Sequence, residues 1–343
     1  MESIIRKDDA DRAAAALADP DTARACFDWQ EARALLTGLP GGALNIGYEA
    51  VDRHVAQGQG SEVAVRWIGK DDTRRELTYA DMADLSSRFA NVLAAHGLTQ
   101  GDRLFALMGR TPELYGAAIG TLKAGLVFTP LFSAFGPEPI RTRMEIGEAN
   151  VLLTTASIYR RKIAAWRDEI PSLKLVLIAG DEAPERCVAL APALAAASEA
   201  FEVAQTEPED RALIHFTSGT TGMPKASVMS HNRWLASLSG IGGLAVRLRH
   251  SDTMYVPLPL YHNNALSVSL SSVLASGACI AIGRSFSASK FWDDVILNRA
   301  TAFCYIGELC RYLLNTEKQP KENKHKIRLA IGNGLRPEIW PGF

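Results

Sequence analysis

Between Leu77 and Leu131 the chain alternates two periodicities in a fixed order. In "LTYADMADLSSRFANVLAAHGL", Met82, Leu85, Phe89, Val92 and Leu93 recur at helical spacing. Thr78, with Asp81 three residues on, suits a capping box, and Gly97 suits the position just past the helix end. "RLFALM" then reads as a strand. Pro112-Glu113 opens a second helix with "ELYGAAIGTLKAGL" as its body, and "VFTPL", "ANVLLTT" and "LKLVLIAG" read as three further strands. Strands separated by helices pair in parallel, with the helices packed on the sheet faces. The expected fold class is therefore α/β.

The same pattern resumes after residue 210. "ALIHFT" reads as a strand, "HNRWLASLSGIGGLAV" as largely helical, and "TMYVPLPL", "ACIAIG", "TAFCYIG" and "IRLAIGNG" as more strands. Residues 1–40 look helical and rather polar, and Pro40-Gly41-Gly42 marks a joint. "ALAPALAAASEAF" suits a surface helix ahead of a linker near 188–210. Three segments follow: a helical 1–40, a first α/β subdomain over 41–205, and a second over 206–343. Residues 265–283, "ALSVSLSSVLASGACIAIG", carry no charge. Gly277 and the many serines favour a buried helix and then a buried strand over a membrane span.

Lys+Arg 37 against Asp+Glu 38 leaves a net charge of -1. That balance argues against nucleic acid as a partner, since nothing would neutralise a phosphate backbone. The five cysteines are odd in number and form no C-x-x-C pair. Buried reduced thiols fit better than a disulfide scaffold or a zinc knuckle. "MESIIRKDDADRAAAAL" lacks the apolar core of a signal peptide, so a cytoplasmic location is expected. Membrane association is not indicated, and the oligomeric state is left open.

The chemistry concentrates in "FTSGTTGMPKA", residues 216–226, directly after the apolar "ALIHF". Glycines let several backbone N–H groups converge on one anion, hydroxyls add donors, and Lys225 adds a point charge. Between a strand and a helix, such a loop would sit at the carboxyl edge of a sheet, where open α/β folds bind ligands. The residues describe a polyphosphate cradle; a plain surface loop explains neither the lysine nor the preceding strand. It is not the common phosphate loop, because Pro224 precedes the lysine and Ala226 follows it.

The T-S-G-T-T-G-x-P-K pattern resembles the signature of the adenylate-forming superfamily, which includes acyl-CoA synthetases, luciferases and peptide-synthetase adenylation domains. The stretch from "GDRLFALM" to "ANVLLTT" and the upstream "NIGYEAVDRH" resemble the acetyl-CoA synthetase branch. "YVPLPLYHNN", "YIGELCRYLLN" and "IGNGLRPEIW" are more similar to the very-long-chain and fatty-acid-transport branch. The resemblance spans roughly residues 40 to 340. It implies two stacked α/β subdomains of an adenylating N-terminal domain, the second incomplete.

The implied activity is that of an ATP-dependent acid–CoA ligase of fatty acid metabolism, forming an acyl-adenylate. ATP, Mg²⁺ and coenzyme A are the implied cofactors, and a small carboxylic acid is the substrate. Thr217, Ser218, Gly219, Thr220, Thr221, Gly222 and Lys225 match the family's phosphate-holding loop. Gly332, Asn333, Gly334, Leu335 and Arg336 match the segment lining the adenine and acyl sites. His262 matches a position near the acyl pocket, where an imidazole would orient the carboxylate. His215 and His231, which flank the loop, read as structural, and "YIGELCRYLLN" reads as core rather than an acyl tunnel. No metal ligand is assigned.

The family's Mg²⁺-holding glutamate motif, its ribose-binding aspartate and its small C-terminal domain have no counterpart before Phe343. The expectation is a truncated product or fragment, with weak or no complete synthetase activity and with apolar surface exposed over 284–343. The alternative is a non-catalytic nucleotide-binding remnant. An unrelated NTPase would need a Walker lysine-Ser/Thr and an acidic metal site, and neither is evident.

Overall fold

The computed structural model describes residues 8–15, 19–69, 71–217, 222–283, 285–317 and 324–342. Thirteen strands lie among them: β1 Val63–Ile68, β2 Arg74–Thr78, β3 Arg103–Leu107, β4 Val127–Pro130, β5 Val151–Thr154, β6 Leu175–Ile178, β7 Val188–Ala189, β8 Arg211–Thr217, β9 Lys225–Ser230, β10 Thr253–Val256, β11 Cys279–Ile282, β12 Ala302–Ile306 and β13 Leu329–Asn333. They form two sheets, ordered β13-β12-β10-β11-β1-β2 and β7-β6-β5-β3-β4-β8-β9. The chain divides into two compact units, each discontinuous in sequence: Met1–Leu36 with Val63–Glu76 and Leu235–Phe343, and Thr37–Glu62 with Leu77–Trp234. The contiguous segments 41–205 and 206–343 do not coincide with these units. Residues 206–234 join the front sheet, and 63–76 join the back one.

In the unit holding Leu77–Trp234, β7 through β8 run parallel, and only β9 is antiparallel. The helix Tyr79–Ala95 starts with the expected capping box: Thr78 Oγ1 accepts from the Asp81 N–H at 3.1 Å, and Asp81 Oδ2 accepts from the Thr78 N–H at 2.8 Å. The helix Pro112–Lys123 packs beside it, nearly all of it buried. β3, β5 and β6 are wholly or almost wholly buried, reading as continuous apolar runs because a parallel sheet is covered on both faces.

Residues 44–54 thread this interior, which forces their polar groups to find partners inside. Asn45 Nδ2 donates to the carbonyls of Leu122 and Ala204, and its Oδ1 accepts from the N–H groups of Gly47 and Tyr48. The Leu44 N–H donates to the Thr206 carbonyl, while the Thr206 hydroxyl donates to the Leu44 carbonyl. The Ile46 N–H donates to His231 Nδ1 at 3.0 Å. Burial pushes the His231 pKa down to about 4, so the ring is a neutral acceptor and structural, as expected. Lys123, fully buried, donates to Asp52, Ser87 and the Ala83 carbonyl. Burial lowers the Lys123 pKa and raises that of Asp52, so desolvation outweighs their attraction in both groups.

In the other unit β1, β11, β10, β12 and β13 run parallel. Residues 265–283 form the expected pair: a buried helical stretch continuing through Leu270–Ser276, then buried β11. No helix among the described residues is long and apolar enough to cross a membrane. The helix Gly307–Leu314 buries Gly307, Leu309 and Cys310 but exposes Tyr312 and Leu314, so it is core on one face only. Exposed Tyr312, Leu314 and Trp340 bear out the expectation of apolar surface over 284–343. Beside them an open groove of about 510 Å³ runs along β13, lined by Trp292, Phe303, Leu313, Leu314, Ile327 and Leu329. Of the five cysteines, Cys279, Cys304 and Cys310 are buried and their thiols pushed up to about 11 by burial, whereas Cys26 is exposed.

Two stability predictions follow from the threaded segment. Asn45→Ala leaves four buried backbone groups without partners and lowers the unfolding free energy by on the order of 3 kcal/mol, read by urea denaturation. Because the folded His231 pKa lies below the unfolded value of 6.5, its contribution is fully present above pH 6.5 and is lost as pH falls toward 4. The wild type therefore loses roughly 3 kcal/mol across that window, and His231→Asn flattens the slope.

Candidate functional site

The loop that stands out in sequence is the tip of a β-hairpin. β8 and β9 pair antiparallel, with Phe216 opposite Ala226 and Thr217 opposite Lys225, so residues 218–224 connect the two strands. This corrects the strand–loop–helix arrangement expected above; the helix His231–Ala236 begins only after β9. "KASVMS" gave no strand signal because β9 is a largely exposed edge, and an edge wetted on both faces carries no apolar alternation. Gly222 adopts φ 89, a conformation L side chains rarely take. Ser218, Gly219, Thr220 and Thr221 lie outside the described residues.

β8 runs parallel to β4, which runs parallel to β3, and β3 to β5. Thr217 therefore emerges at the same carboxyl edge as Pro130, Leu107 and Thr154. Connections leave β3 toward β4 on one side and β5 on the other, the kind of switch point where open α/β sheets bind ligands. At that edge the register places a hydroxyl and an ammonium directly across a narrow hairpin. Both residues are exposed, and among the described residues no ion pair neutralises Lys225. Chemically this is a donor pair for an anion. His215 stands inside β8 opposite Ser227.

The remaining predicted residues lie in the other unit, around the carboxyl ends of β12 and β13. His262 is half-buried, and burial lowers its pKa. Its Nδ1 accepts from the Asn264 N–H at 3.4 Å, which puts the proton of the neutral ring on Nε2. Asn264, buried, was missed in sequence; the only signal was a polar "HNN" interrupting an apolar run. Its Nδ2 donates to the Tyr305 carbonyl at 3.0 Å, and its side-chain amide pairs reciprocally with that of Asn333 at 3.3 and 3.4 Å. His262, Asn264 and Asn333 are thus brought together across three separate segments. Gly332 packs against the Tyr305 carbonyl, and Gly307 against the Gly334 carbonyl, both too closely for any side chain. The Leu335 carbonyl accepts from the Trp340 indole at 3.2 Å, and Arg336 is exposed.

Among the described residues no group of three or more His, Cys, Asp or Glu side chains could hold a metal ion. The residues present therefore do not fit a Mg²⁺ site.

The sequence matches the family described as AMP-binding enzyme over residues 52–343. It is 42% identical over 316 residues to the medium/long-chain-fatty-acid–CoA ligase FadD6 of Mycobacterium tuberculosis, covering 91% of this chain and 50% of that protein. It is 33% identical to human long-chain fatty acid transport protein 1, covering 78% of this chain and 42% of that one. Among solved structures it resembles a Brucella canis acyl-CoA synthetase with a TM-score of 0.81 at 29% identity, covering 93% of this chain and 58% of that one. ATP-bound MatB from Rhodopseudomonas palustris is similar at a TM-score of 0.70 and 25% identity, over 84% and 55%. The chain spans about half the length of the curated relatives it matches. With two parallel-dominated sheets, a glycine-hydroxyl-lysine hairpin at a carboxyl edge and a family match over most of its length, this chain belongs to the AMP-binding enzyme family.

Proposed function

We propose that this chain is the nucleotide- and acid-binding part of an AMP-forming acid–CoA ligase that activates a medium- to long-chain fatty acid, working in the cytoplasm. The observation that carries the reading is the register of Thr217 against Lys225 at the carboxyl edge of a parallel sheet. In the reaction, a carboxylate oxygen attacks the α-phosphorus of ATP, the bond to the bridging oxygen breaks, and pyrophosphate leaves. Lys225 and the hydroxyls and backbone N–H groups of the hairpin, Thr217 to Gly222, hold the β- and γ-phosphates and stabilise the departing charge. His262 donates its Nε2 proton to the acid's carboxylate and orients it. Asn264 holds the imidazole's other nitrogen through its backbone N–H and anchors Asn333. Gly332 to Arg336 border the adenine and the acyl chain. The acyl-adenylate then passes its acyl group to coenzyme A. The ligase and transport-protein names of the relatives support a fatty acyl substrate.

Isothermal titration of the 343-residue chain with ATP tests the reading. Lys225→Ala weakens ATP binding by about 10- to 100-fold, since a charge-assisted contact to phosphate is lost. Pyrophosphate release assayed with acetate through palmitate is expected to be weak for this chain. ATP binding without any pyrophosphate release favours the alternative, a nucleotide-binding module without catalysis. ATP binding unchanged in Lys225→Ala overturns the hairpin's role.

A further inference from the structure

The carboxyl edge that carries the hairpin also holds an unpaired cation. Arg143 lies on the helix Pro137–Ile146, which follows β4 in the same unit. Its guanidinium carbon stands 4.3 Å from the centroid of the Phe135 ring and 5.8 Å from that of Phe216. Phe216 immediately precedes Thr217, the first hairpin residue, and packs on Phe105 and the sheet's core. One guanidinium nitrogen, Nη1, donates to the Pro139 carbonyl at 2.8 Å. Nε is buried with no hydrogen-bond partner. Among the described residues no carboxylate pairs with Arg143, whereas Arg141, two positions earlier on the same helix, is matched by Glu145 and Glu169.

A half-buried guanidinium without a counter-ion carries an uncompensated desolvation cost. Burial accordingly lowers its pKa. Stacking on aromatic rings occupies the faces of the guanidinium and leaves its edge as a planar set of donors suited to phosphate. The position beside Phe216 places that edge next to the start of the phosphate-binding hairpin.

We propose that Arg143 is a further phosphate-binding residue: its guanidinium edge contacts the polyphosphate of the nucleotide while its stack on Phe216 steadies the hairpin. This rests on the nucleotide reading of the hairpin. The test is isothermal titration of the 343-residue chain with ATP, inorganic tripolyphosphate and AMP, for wild type, Arg143→Gln and Arg143→Lys. Arg143→Gln is expected to weaken ATP and tripolyphosphate by about tenfold and AMP by less than twofold. Arg143→Lys, which keeps the charge but not the planar fork, recovers part of the loss and reports the role even where Arg143→Gln unfolds. Circular dichroism melting establishes that each variant is folded. Unchanged ATP and tripolyphosphate affinities in folded Arg143 variants overturn this proposal alone, provided Lys225→Ala weakens ATP. An equal loss for AMP also overturns it, by revealing a purely structural role. A wild-type chain that binds neither ATP nor tripolyphosphate overturns the nucleotide reading and this proposal together.

Discussion

Everything at the carboxyl edge of the front sheet hangs on a polypeptide segment that runs through the interior. Residues 44–54 have no neighbouring strand to pair with, so side chains supply the missing partners. Asn45 closes four contacts around the end of the helix Pro112–Lys123 and residue 204, and His231 takes the Ile46 N–H. His231 directly follows β9. The threaded segment thereby fixes where the second arm of the hairpin ends, and the pairing of β8 with β9 carries that placement to Thr217 and Lys225. Leaving any of these buried groups unpaired would cost more than the net gain of making an ordinary hydrogen bond, which is why the network is complete on this side.

The anion-binding features share one physical logic. Parallel strands deliver their carboxyl ends to one edge, and loops leaving that edge are free to carry polar chemistry because the strands below them are rigid and apolar. In the front unit that edge collects Thr217, Lys225 and Arg143 with its aromatic faces. In the back unit the carboxyl ends of β12 and β13 carry Asn333 and the glycines that let Gly307 and Gly334 touch, with Asn264 bonded to both strands. Neutral His262 completes that group, since a half-buried imidazole sheds its proton more readily than a solvated one.

Much of the fold was legible because buried parallel strands and amphipathic helices leave strong periodic signals. The capping box at Thr78, the helix Pro112–Lys123, the apolar strands and the helix-then-strand reading of 265–283 all came through. What escaped was polar and non-local. β9 is an exposed edge strand without alternation, so the hairpin looked like a strand–loop–helix turn. Asn264 and Arg143 stand in stretches where nothing nearby distinguishes them. Their partners are 69 residues away at Asn333 and 73 away at Phe216, counting 333 less 264 and 216 less 143.

Alone, the order of residues determined the α/β class, the glycine-hydroxyl-lysine cluster and the family resemblance, because each is written in local spacing and composition. Only the tertiary structure decided that the cluster is a hairpin tip with Thr217 facing Lys225, that residues 63–76 join the back sheet, and that Asn264 meets Asn333. Strand pairing and buried polar contacts are set by which distant segments can satisfy each other once water is excluded. No local pattern encodes that condition.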